Sequence, residues 1–382
     1  MGEEKRLKSG WRVWRFEQMA VNVKTKIDDP SKADVDYYVG LEHLDPDSLK
    51  IRRWGHPSDV EAQKLCFKKG DIIFGKRRVY QRKLGVAEWD GICSAHAFVL
   101  RAKPDVVLPE FLPFFMQSDL FMERAQAISV GSLSPTINWK TLAKEEFALP
   151  SLEEQRVITK LLFKIDDFKN KLINFNYTTN LLYQSFREKK IEEWLKGEKN
   201  IYKVKNICNK IVDGTHKTPT YIEAGIPFLR VTDINSEEID WSNVKYISPG
   251  EHLILCKRCK PEKGDVLLSK NGTIGITKVI DWEDEFSIFV SLCLLKPKSG
   301  INPYFLSESL NSIYANSQLL VRIKEGTVKN LHLEEIRECS IPVPESREQN
   351  ELVEKIQVLK AISKKILARI TYLQKLKQAV LN

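Results

Sequence analysis

The sequence predicts an α+β fold: two tandem mixed α/β domains alternate with two long helices, which pair antiparallel as a coiled coil and relate the halves by a pseudo-twofold. Three observations carry that prediction: an internal repeat at one offset, two long apolar stripes, and a break between the halves. Lys69-Gly70-Asp71-Ile72-Ile73-Phe74 returns 194 residues on as Lys263-Gly264-Asp265-Val266-Leu267-Leu268. At that offset Pro109-Glu110-Phe111-Leu112 returns as Pro303-Tyr304-Phe305-Leu306, Ser118 as Ser312, Leu149-Pro150 as Val343-Pro344, and Glu154-Gln155 as Glu348-Gln349. Short matches arise by chance, but one offset held through successive blocks marks a duplicated unit of a domain plus a helix. The expected boundaries are 1–151 for the first domain, 152–196 for the central helix, 197–345 for the second domain and 346–382 for the C-terminal helix.

The first domain opens on Trp11, Val13, Trp14 and Phe16. Residues 37–41 and 71–75 read as strands, the second launched from the Lys69-Gly70-Asp71 turn, and 95–100 as a buried strand. Residues 109–127 read as one amphipathic helix and 131–136 as an exposed loop of small residues; Pro150 stops the last strand from running into the helix behind it. In the central helix Ile158, Leu161, Ile165, Phe168, Leu172, Phe175, Leu182 and Phe186 fall on the three-four spacing of a two-helix seam, Thr179 being out of character. Leu352, Ile356, Leu359, Ile366, Ile370 and Leu373 repeat it, with Ser363 the polar exception. The outward faces, with Lys160, Lys164, Lys169, Lys189, Lys190 and Glu192, are expected to stay wet. Gly197-Glu198-Lys199-Asn200 is the break before the chain starts again. Helices of about 35 to 40 residues are roughly 50 to 60 Å long. That length can hold two domains over DNA half-sites about 34 Å apart.

With 382 residues the chain fits two or three domains. Residues 1–10 are charged, and no run approaches the roughly 20 apolar residues that span a bilayer, so a cytoplasmic location is expected. Seven cysteines are odd in number and scattered, which reads as reduced core residues. Cys256-Lys257-Arg258-Cys259 is a lone pair, short of the four ligands of a tetrahedral zinc site, so no metal is expected. The net charge of +9 permits nucleic-acid binding without requiring it. Ser269 to Gly275 lacks P-loop spacing, no G-x-G-x-x-G follows a strand, and Asn302-Pro303-Tyr304 reads as a helix start. No catalytic residues and no bound cofactor are therefore expected on this chain.

The candidate contacts are polar and cationic. Lys68, Lys69, Lys76, Arg77, Arg78, Arg82 and Lys83 crowd one short stretch with Tyr80 among them. They suit phosphate contact, or bidentate pairing of an arginine with guanine, against the alternative of a solvated hairpin. Ser132, Ser134 and Thr136 on the small-residue loop are candidates beside them. Thr215, His216, Lys217, Thr218 and Tyr221 form a polar loop that either meets DNA or is a turn stabilised by its own Asp and Thr side chains. Lys270, Asn271 and Thr273, with Thr327 and Lys329, complete the candidates of the second domain.

Asp213-Gly214-Thr215-His216-Lys217-Thr218-Pro219, Ser269-Lys270-Asn271-Gly272-Thr273-Ile274-Gly275 and the Leu-Pro and Val-Pro exits followed by Glu-Glu-Gln and Arg-Glu-Gln resemble segments of the specificity (S) subunit of type I restriction-modification systems. The likeness covers the whole chain. It implies two target recognition domains, each reading half of a bipartite, asymmetric site in double-stranded DNA, and no chemistry on the chain itself. It also implies docking of two methyltransferase (M) subunits and of restriction (R) subunits, with S-adenosylmethionine on M and ATP and Mg on R. Gly75-Lys76-Arg77-Arg78 stands where the second domain has Ser269-Lys270-Asn271-Gly272, which fits domains reading different sequences. The rival readings are a stand-alone DNA methyltransferase or nuclease, and a coiled-coil scaffold with nonspecific DNA contact.

Overall fold

The computed structural model describes residues 8–197, 200–235, 238–321 and 330–381. They divide into two compact units, bounded as Met1–Ile173 with Leu367–Asn382 and as Asn174–Ile366.

In the first unit, strands Arg12–Arg15 and Glu146–Leu149 pair antiparallel, so the start and end of the domain close on each other. A four-stranded sheet follows in the order Ala20–Val23, Ala97–Ala102, Ile72–Gly75, Leu84–Val86. A second sheet has the order Lys26–Ile27, Lys64–Phe67, Gly91–Cys93, Tyr38–Val39, its last pair being parallel. Phe16, Phe74, Phe115, Phe121 and Phe147 fill the main core. The Lys69-Gly70-Asp71 turn has a physical reason for its glycine and its aspartate. Gly70 sits at φ 88°, and Asp71 accepts the Lys68 N–H at 2.8 Å while Arg101 on the next strand clamps its carboxylate at 2.7 Å. The helix expected over 109–127 is two helices, Leu112–Met116 and Asp119–Ala127. Ser118 makes the break, its hydroxyl accepting the Phe121 N–H at 3.2 Å as an N-cap.

The second unit repeats these devices. Ile201–Lys203 pairs with Ser340–Pro342, and a four-stranded sheet runs Cys208–Asp213, Leu292–Pro297, Val266–Ser269, Thr277–Val279. Lys245–Ile247, Ile226–Leu229 and Ser287–Ile288 form the second sheet. Gly264 has φ 89°, Asp265 accepts the Glu262 N–H at 2.9 Å, and Lys296 takes the clamping role at 2.5 Å. Ser312 caps Ile313–Val321 as Ser118 does its helix, accepting the Ala315 N–H at 3.2 Å. Asn302 caps Pro303–Leu310, a helix start as its sequence reads.

The central helix is continuous over Leu152–Lys196 and the C-terminal helix over Ser346–Leu381. Within the first unit Lys377 reaches Asp166 at 3.0 Å, and within the second Ser363 donates to Asn176 at 2.7 Å. In the second unit Trp194 also donates to Glu348 at 3.4 Å, so residue numbers rise on one helix as they fall on the other and the pairing there is antiparallel. The buried stripe differs from the expected one. Ile165, Leu352, Ile356, Ile366 and Leu373 are buried, and Ile158, Leu172, Phe186, Leu359 and Ile370 half-buried, but Leu161, Phe168, Phe175 and Leu182 are exposed. The buried line on the central helix runs instead through Gln155, Thr159, Leu162, Ile165, Lys169, Thr179, Arg187 and Ile191. Lys169, expected to be wet, lies 3.3 Å from Asp166. Polar groups hold these positions because most find partners: Arg187 pairs with buried Glu308 at 3.3 Å, and the Thr179 hydroxyl donates to the Phe175 carbonyl at 2.8 Å. Among the described residues no helix is long and apolar enough to cross a membrane.

Candidate nucleic-acid interface

The first unit builds its candidate surface where strand Ile72–Gly75 ends. The Ile137 N–H donates to the Lys76 carbonyl at 2.9 Å, Arg77 bridges Thr136, and the Arg78 N–H donates to the Pro135 carbonyl at 2.8 Å. The small-residue loop is thereby laid along the basic one, and Arg78 Nε donates to Ser134 Oγ at 3.2 Å. Arg77, Arg78, Tyr80 and Ser132 are exposed, with Ser134 and Thr136 half-buried beside them. Arg78 holds φ 56°, a left-handed conformation that turns its side chain out of the strand direction.

The basic cluster is not one patch. Lys68 and Lys69 precede the four-residue strand and Lys76 to Arg78 follow it, so about 13 Å of extended chain separates them. Arg82 is tied to Asp47 at 2.6 Å, Asp119 at 3.1 Å and the Gln117 carbonyl at 2.5 Å, and Lys83 to the Leu41 carbonyl at 2.7 Å. Both hold the loop's base and are not free to meet a ligand. Lys76 is half-buried, its ammonium 5.3 Å from the Phe98 ring centroid. Burial, with Lys26 nearby, pushes its pKa down. Val130 precedes the same loop and Leu133, 91% exposed, lies within it. Neither stands among the candidate contacts drawn from the sequence, because an isolated aliphatic carries neither charge nor a hydrogen-bonding group.

The second unit copies the frame. The Leu331 N–H donates to the Lys270 carbonyl at 2.8 Å and Asn271 bridges Asn330, the counterparts of Ile137 with Lys76 and Thr136 with Arg77. Thr327 and Lys329 lie outside the described residues. The side chains part company, however. Lys270, expected as a DNA contact, is 4% exposed and bonded to Asp213, itself 3% exposed, at 3.0 Å. Asp213 also takes Arg258 and, at 3.2 Å, His216. Burial alone would raise the Asp213 pKa, but the Lys270 hydrogen bond and the charges of Lys270, Arg258 and His216 hold it below the ordinary carboxylate value. From this anchor the loop leaves through Gly214, where a Cβ would stand 2.0 Å from the Ile288 carbonyl oxygen. The Thr215 hydroxyl donates to the Lys217 carbonyl at 3.0 Å and accepts the Lys217 N–H at 3.2 Å. The loop is thus held by its own Asp and Thr, and it still leaves His216, Lys217, Thr218 and Tyr221 exposed. Thr273 is exposed and Asn271 half-buried on the neighbouring loop. Arg258 was missed because it sits inside the C-x-x-C stretch, 45 residues from the carboxylate it serves.

Two like-built edges, each ending in exposed polar or cationic loops, are the setting for comparison with known proteins. The family described as type I restriction modification DNA specificity domain matches residues 59–181 and 188–372. The chain belongs to that family. Among relatives of the specificity-domain family, the EcoBI specificity subunit of Escherichia coli is 27% identical over 272 residues, 63% of this chain and 57% of that one. The EcoDI specificity subunit of the same organism is 28% identical over 202 residues, 49% of this chain and 44% of that one. The MjaVIII specificity subunit of Methanocaldococcus jannaschii is 23% identical over 316 residues, 75% and 69% of the two chains. The chain therefore spans only about half the length of the two Escherichia coli relatives. Among solved structures, the S subunit of a type I restriction-modification system from M. genitalium superposes with TM-score 0.59 at 14% identity, over 99% of this chain and 96% of that one. A chain from a study of complex assembly and conformational transition of a type I system superposes with TM-score 0.62 at 21% identity, over 98% and 97%. These likenesses share the fold.

Proposed function

We propose that the chain is the sequence-reading subunit of a type I restriction-modification assembly, each unit reading one half of a bipartite DNA site. The observation that carries this reading is the duplicated edge: one backbone frame used twice, with Arg77, Arg78 and Tyr80 exposed on one copy and His216, Lys217 and Thr218 on the other. Cations at the first edge suit phosphates and guanine edges. Val130 and Leu133 offer apolar contact to thymine methyl groups. The second edge reads through polar tips. The chain performs no chemistry in this reading; methyltransferase subunits carrying S-adenosylmethionine, and restriction subunits using ATP and Mg, dock on it in the cytoplasm. Phe163, Phe168, Phe175 and Leu182, exposed on the central helix, support protein docking there. The test is to co-produce the chain with its methyltransferase subunit and map the methylated bases. Two short sequences at a fixed spacing are expected, and Arg77→Ala with Arg78→Ala should rewrite one and leave the other. Methylation or cleavage by the chain alone, or both half-sequences changing together, would overturn the reading.

A further inference from the structure

The Glu-Gln pair in the first turn of each long helix repeats in sequence, and its glutamine is bonded through both the amide oxygen and the amide nitrogen. Gln155 is 0% exposed. Its Oε1 accepts the Leu108 N–H at 2.9 Å, and its Nε2 donates to the carbonyls of Val106 at 3.2 Å and Pro150 at 3.0 Å. Gln349 is 2% exposed. It accepts the Asn302 N–H at 2.9 Å and donates to the carbonyls of Gly300 at 3.2 Å and Pro344 at 2.9 Å. Every partner is backbone, and every partner sits at the same offset in the two units. Val106-Val107-Leu108 and Gly300-Ile301-Asn302 share no residue, so the arrangement is kept although the loop sequence is not. One N–H and two carbonyls require one acceptor and two donors, which is the inventory of a primary amide.

We propose that Gln155 and Gln349 are positioning residues that lock each recognition unit to the first turn of its own helix and so hold the spacing at which the two half-sites are read. The proposal rests on the bipartite reading above. The bonds join three segments, the loop before the domain's helices, the closing strand's exit and the long helix; in the second unit Asn302 also donates to Asn350 at 2.8 Å and Ser346 to the Gly300 carbonyl at 3.4 Å. A unit that pivots there would carry its reading edge across neighbouring base pairs without altering which bases the edge recognises.

The test uses the full chain co-produced with the methyltransferase subunit, and duplexes carrying the mapped half-sites at the native spacing or one base pair longer or shorter. The variants are Gln155→Glu and Gln349→Glu, which keep shape but set an ionised carboxylate against two carbonyls, and Gln155→Met and Gln349→Met, which remove the polar group without adding charge. Both half-sequences should stay as they were, while discrimination between native and altered spacing should fall about tenfold. A variant with native thermal unfolding and undiminished spacing discrimination would overturn the proposal. Should the glutamate variants not fold, the methionine pair gives the same readout. If the unaltered protein shows no fixed two-part site, the bipartite reading itself fails, a result distinct from stringent spacing in a folded variant.

Discussion

At the end of strand Ile72–Gly75 the first unit sets Lys76 over the Phe98 ring, with no carboxylate partner among the described residues, whereas the second unit seals the equivalent Lys270 into Asp213 with Arg258 alongside. The chain after Val23 continues with Lys24, and after the corresponding Val212 with Asp213. One strand end therefore offers a cation where the other offers an anion. The backbone frame is the same in both units, down to the amide donated to the residue at its corner. Frame and charge are thus independent variables. The first edge leaves the cations Arg77 and Arg78 exposed, and the second uses Lys270 and Arg258 internally to hold a loop whose tips, His216, Lys217 and Thr218, are exposed.

The largest expected effect tests whether the second edge is sealed. Asp213→Asn leaves the Lys270 ammonium buried without its counter-charge and should cost about 3 to 5 kcal/mol in urea unfolding. Lys76→Met in the first unit should change stability by less than about 1 kcal/mol. Adding Lys270→Met to Asp213→Asn should restore most of the loss. An Asp213→Asn variant as stable as the parent would erase the contrast between the edges.

Next comes binding. Removing Arg77 and Arg78 together should weaken DNA binding by about 1 to 3 kcal/mol for each arginine that pairs with a base edge, or lower the salt slope by about one for each that pairs with a phosphate. Anisotropy titrations across a salt series, with the chain in its methyltransferase complex, separate the two outcomes. Lys270→Met should leave the salt slope unchanged, and a reduced slope would place Lys270 on DNA after all.

The smallest effect is in acid. Because the folded Asp213 pKa lies below the unfolded one, near about 3.9, its contribution is fully present above that value. It is lost as pH falls through the folded pKa. Thermal unfolding of the parent should therefore weaken more steeply below about pH 4 than that of the Asp213→Asn, Lys270→Met double variant. Parallel curves would mean that the carboxylate gains nothing from its three cations.

Much of the frame was legible because it is made locally. The Lys-Gly-Asp turn and the proline exits each bond within a few residues of themselves, so a repeat in sequence is a repeat in structure, whereas Ser118 and Ser312 showed only as a repeat and their capping of a helix start was not read. The charges were less legible because their partners are distant: Lys270 meets a carboxylate 57 residues away, Arg82 one 35 away and Lys83 a carbonyl 42 away. The helix seam misled for another reason. Apolar spacing marks one stripe, but the buried line mixes Leu162, Ile165 and Ile191 with Gln155, Thr159, Lys169, Thr179 and Arg187, and no hydropathy pattern identifies polar residues that are buried because most of them are bonded.

That polar line has a consequence for synthesis. The central helix leaves the ribosome about 150 residues ahead of its C-terminal partner, and at about 5 to 20 residues per second it waits roughly 10 to 30 seconds for it. A seam of leucines would pass that interval as a sticky surface. One that carries Lys169, Asn176, Thr179 and Arg187 shows water fewer apolar side chains along that line while it waits, and its partner then brings Ser363 to Asn176 and Lys377 to Asp166.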